Sequence, residues 1–141
     1  MKTKPTGKIL SLLLAACMAL TLLPAAALAD LVGDITIDMV NFPDEKFREW
    51  LLDGANISGV GEDGTLTADE IAGVTFIDVS SVNISSLAGI EYFTALKTLY
   101  CSDNQLTTLD VSKNTALKEL SCYSNQLATL DVNTALEELN C

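Results

Sequence analysis

The sequence contains no histidine. That removes the commonest general base and the commonest transition-metal ligand. Positive charge is scarce, with eight Lys and Arg against 19 Asp and Glu in 141 residues. Aromatic residues make up only 6%, with a single tryptophan. No glycine-rich phosphate loop and no nucleophile elbow occur. An acidic balance of this size argues against nucleic acid and anionic membrane surfaces as partners. Carboxylates are plentiful, so inventory alone does not dismiss a paired-carboxylate hydrolase. They stand, however, where local structure explains them, and the expectation is a protein that is not an enzyme.

The N-terminus reads as a secretory signal over residues 1–29. Lys2, Lys4 and Lys8 are followed by the apolar run Ile9 to Leu23. Pro24 breaks the run, and Ala27-Leu28-Ala29 offers a small-x-small cleavage site before Asp30. The run is shorter than the roughly twenty residues a spanning helix needs, so no membrane insertion is expected after cleavage. Leu14-Ala15-Ala16-Cys17 also resembles a lipobox that would lipidate Cys17, although Met18 to Leu23 stays apolar where a polar tether normally follows. The mature part, from Asp30, keeps all 19 acids and five cations (Lys46, Arg48, Lys97, Lys113 and Lys118), a net charge of −14.

Residues 74–141 repeat. Leu99, Cys101, Asn104, Leu106 and Leu109 recur at Leu120, Cys122, Asn125, Leu127 and Leu130, each 21 residues on. Asn114-Thr115-Ala116 recurs as Asn133-Thr134-Ala135. A further copy runs from Leu136 through Leu139 to Cys141. A degenerate one precedes them, with Val74, Ile77, Val79, Ile84 and Leu87 in the apolar columns and Val82 in place of the asparagine. The pattern L-x-x-L-x-C-x-x-N-x-L resembles the leucine-rich repeat. That resemblance implies an α/β solenoid whose short parallel strands, around Leu99 to Cys101 and Leu120 to Cys122, line a concave face. One repeat cannot bury its leucines alone, and stacking makes a continuous core. Asn104 and Asn125 are expected to bond backbone groups that the turn after each strand leaves unpaired.

Cys101, Cys122 and Cys141 fall at inward positions, one per repeat, and read as buried free thiols in preference to disulfides. One cysteine per layer forms a line, not the tetrahedron zinc requires. Because the last copy stops within a strand, the expectation is a fragment of a longer solenoid, or fraying or pairing of residues 136–141 with another copy.

A solenoid's first layer needs a cap, and residues 30–73 read as that segment. Asn41-Phe42-Pro43-Asp44-Glu45 opens a helix with proline in its first turn, and Phe47, Trp50 and Leu51 share one face. Thr67-Ala68-Asp69-Glu70 is a capping box opening a second helix. Between them, Gly59 to Glu70 resembles an EF-hand calcium loop, with Asp63, Thr65 and Glu70 as candidate ligands. Gly59 and Gly61 stand where side-chain oxygens belong, and calcium wants six to eight oxygens. Glu70 is better explained as the reciprocal partner of Thr67, so calcium is disfavoured and no cofactor is expected.

A helical, EF-hand-like cap ahead of leucine-rich repeats is similar to the internalin family of bacterial surface proteins. The resemblance implies a secreted or cell-surface scaffold that binds protein or glycan partners through its concave face. By the family pattern that face includes Phe76, Asp78, Thr98, Tyr100, Ser102, Glu119, Ser121 and Tyr123, then Glu138 and Asn140. Tyr100 and Tyr123 offer large contact area at low entropic cost. The alternatives are the recognition part of a larger exported enzyme, or a calcium-binding module using the EF-hand-like loop.

Overall fold

A computed structural model describes residues 33–141. The predicted signal and its cleavage and lipobox alternatives lie outside the described residues. The body that follows, Asp34–Cys141, is one compact unit.

The cap begins with strand β1 (Ile35–Thr36), which pairs antiparallel with β2 (Thr65–Leu66). Between them lies helix α1 (Glu45–Leu52), and after β2 comes α2 (Ala68–Gly73). The N-cap of α1 is Asp44, whose carboxylate accepts from the Phe47 N–H. Pro43 therefore precedes the cap residue and is not in the first turn. The correction has a simple reason: Asp44 adopts the extended φ/ψ of a cap and supplies the side-chain acceptor, which proline cannot. Helix α2 has the expected capping box, with the Thr67 side chain on the Glu70 N–H and the Glu70 carboxylate on the Thr67 N–H. Phe47 and Leu51 are buried, and Trp50 packs partly buried against them.

The solenoid carries its main sheet as four parallel strands, β3 (Phe76–Asp78), β4 (Thr98–Tyr100), β6 (Glu119–Ser121) and β8 (Glu138–Asn140), in that order. The repeat register is the sheet register: Ile77, Leu99, Leu120 and Leu139 are successive partners. The coils of β4 and β6 also carry a strand on a second side, which the repeat pattern did not reveal. β5 (Thr108–Asp110) pairs with β7 (Thr129–Asp131), aligning Leu109 with Leu130.

One hydrophobic core runs without a break from Phe42, Phe47, Leu51 and Leu66 of the cap through Ile77, Ile84 and Leu99 to Leu120 and Cys122. Phe42 links the two parts, edge-on to Phe47 at 5.7 Å and to Tyr92 at 5.6 Å. Gly89 makes this seam possible. Its φ is +102°, and a Cβ there would collide with the edge of the Phe42 ring and fall 2.7 Å from the Asn41 carbonyl oxygen.

Asp44 ties the same seam with hydrogen bonds. Its second carboxylate oxygen accepts from the Ser85 N–H at 2.8 Å, the Ser85 hydroxyl at 2.7 Å and the Ser86 N–H at 3.1 Å. The helix cap of α1 is thus also the clamp on the first coil. Burial alone would raise the Asp44 pKa, but the Ser85 hydroxyl and the Phe47, Ser85 and Ser86 N–H groups outweigh it and hold the carboxyl below its usual value.

Candidate functional site

The concave face is built from alternation along the strands. Leu99 and Leu120 point into the core, and their neighbours point out. Register then stacks the outward residues in two columns. Phe76, Thr98, Glu119 and Glu138 form one, and Asp78, Tyr100, Ser121 and Asn140 form the other. Phe76 is 51% exposed and stands edge-on to Tyr100, with ring centroids 5.5 Å apart. The Tyr100 hydroxyl donates to the Glu119 carboxylate at 2.6 Å. That bond is the main reason the Tyr100 pKa is raised, followed by burial and the charges of Glu119, Glu138 and Asp78.

Ser102 does not belong to this surface. It is only 2% exposed, and its hydroxyl meets that of Ser121 at 3.0 Å. The chain is already turning there, since Asp103 adopts a left-handed φ of 56°. Tyr123, 21 residues on, remains 44% exposed but lies beyond the strand, outside the two columns.

The asparagines lie behind the sheet. The Asn104 amide donates to the Val79 carbonyl at 2.7 Å and the Cys101 carbonyl at 3.0 Å, while its oxygen accepts from the Ile84 N–H. Asn125 repeats this with Cys101, Cys122 and the Leu106 N–H. Each side chain therefore serves its own coil and the one before. A second ladder went unassigned in the sequence. Asn114 donates to the Ile90 and Phe93 carbonyls, and Asn133 to those of Asn114 and Leu117. The recurrence of Asn-Thr-Ala was its visible signal.

The cysteines stack in one column, as the repeat register requires: Cys122 and Cys141 stand sulfur to sulfur on adjacent coils with Cα atoms 4.7 Å apart, and Cys101 is a buried free thiol. Burial pushes the Cys101 thiol up to about 12.

In the EF-hand-like loop, Asp63 accepts from the Thr65 hydroxyl and N–H, which hold its carboxyl below the usual value. Thr65 itself belongs to β2. One Glu70 oxygen accepts from the Thr67 N–H and hydroxyl, both at 2.7 Å, and the other from the Gly61 N–H at 3.2 Å. Among the described residues no three Cys, Asp or Glu side chains converge to hold a metal.

No family model matches the chain. Internalin J of Listeria monocytogenes serotype 4b (strain F2365) is 37% identical over 73 residues, which are 52% of this chain and 8% of that protein. A solved structure, described as the functional domain of InlJ from Listeria monocytogenes including a cysteine ladder, superimposes with a TM-score of 0.65 at 34% identity. It covers 77% of this chain and 24% of its own. This chain is an internalin-like leucine-rich repeat protein. Internalin C2 of the same species shares the fold, with a TM-score of 0.54 at 20% identity over 74% of this chain and 50% of its own. The chain thus spans less than a tenth of the curated relative and about a quarter to a half of these solved structures. The internalin-like body has no helix among the described residues long and apolar enough to cross a membrane.

Proposed function

We propose that this protein is a non-catalytic, exported recognition scaffold that binds a protein partner through the concave sheet. The observation that carries this reading is the sheet itself. Four short parallel strands set their outward side chains in register, and behind β3, β4 and β6 the core residues Ile77, Leu99 and Leu120 hold them in place. A binding surface gains affinity when its side chains are ordered beforehand. Recognition is favoured over catalysis because the acids are occupied locally. Asp44, Asp63, Glu70, Asp78 and Asp110 all accept hydrogen bonds from nearby backbone N–H groups. The internalin-like architecture supports the same reading, and the apolar run before Ala29 supports export to the cell surface or beyond.

The test is to obstruct the concave face. Thr98→Trp places a large ring midway between Phe76 and Glu119, whereas Thr129→Trp places one on exposed β7. Affinity capture of surface proteins with the full chain should fail for the first variant and persist for the second. Equal capture by both would overturn the proposal.

A further inference from the structure

We draw no further inference here: the strongest candidate, the apolar face beside the edge strand β8, where Leu139 and Val132 stand exposed, is unpartnered among the described residues, and nothing in the structure shows what covers it.

Discussion

Replacing Asp44 with alanine removes two functions at once. The carboxylate caps α1 through Phe47 and fastens the cap to the first coil through Ser85 and Ser86. A lost N-cap costs about 1 kcal/mol. Hydrogen bonds to a charged acceptor contribute roughly 1.5–3 kcal/mol each when retained from water. Ser85 is exposed, so water replaces part of what it loses. The expected cost is about 3 kcal/mol, which in a body of this size lowers Tm by roughly 10–20 °C. Thermal and urea unfolding of the full chain measure it. Native-state hydrogen exchange should also show the Ser85 and Ser86 amides losing protection before those of β4. Acidity supplies an independent check. The Asp44 pKa is lowered in the folded protein. Its contribution is therefore fully present above the unfolded value near 3.9 and fades as pH falls through the lower, folded value. The stability gap between wild type and Asp44→Ala should narrow over that acidic window and stay constant above it. A destabilisation under about 0.5 kcal/mol at neutral pH, or unchanged exchange at Ser85 and Ser86, refutes the clamp.

Asn104→Ala should cost more than Asn125→Ala, about 3 against about 2 kcal/mol in urea unfolding, because Asn104 is the more buried and strands the Val79 carbonyl and Ile84 N–H. Equal losses would show that the two rungs are interchangeable. In the native state Cys101 should resist alkylation at pH 8, since its pKa of about 12 leaves almost no thiolate. Millimolar calcium should leave Tm unchanged and give no binding heat, since both Glu70 oxygens already accept hydrogen bonds. A clear upward shift in melting would restore the metal reading of the loop.

The solenoid was legible because its cause is periodic. An aliphatic residue that must face the core in every coil returns every 19 to 22 residues, and that recurrence fixes the strand register as well as the strand. The capping box at Thr67 was legible for a similar reason, since both partners lie within one turn. What escaped was long-range or lay at the margins. Asp44 looked like an acid near a helix start, and nothing local announces Ser85, 41 residues away. The second-side strands β5 and β7 are three residues long with one inward leucine each, too brief for a period to show. Ser102 was placed on the concave face by the family pattern, but it lies two residues past the strand, just before Asp103 turns the chain.

The asparagine ladder gives the array a polarity. Asn104 completes the coil of Val79, and Asn125 completes the coil of Cys101. Each coil is finished by its successor. This is why Val82 is tolerated in the asparagine column of the first coil: no earlier coil waits for its amide. A duplicated 21-residue unit inserted in phase brings the donors and acceptor its predecessor requires and receives its own from the unit that follows. Such an array can lengthen by copying, without rewriting any residue already in place. A change in copy number alters the reach of the concave face while leaving its chemistry per coil unchanged.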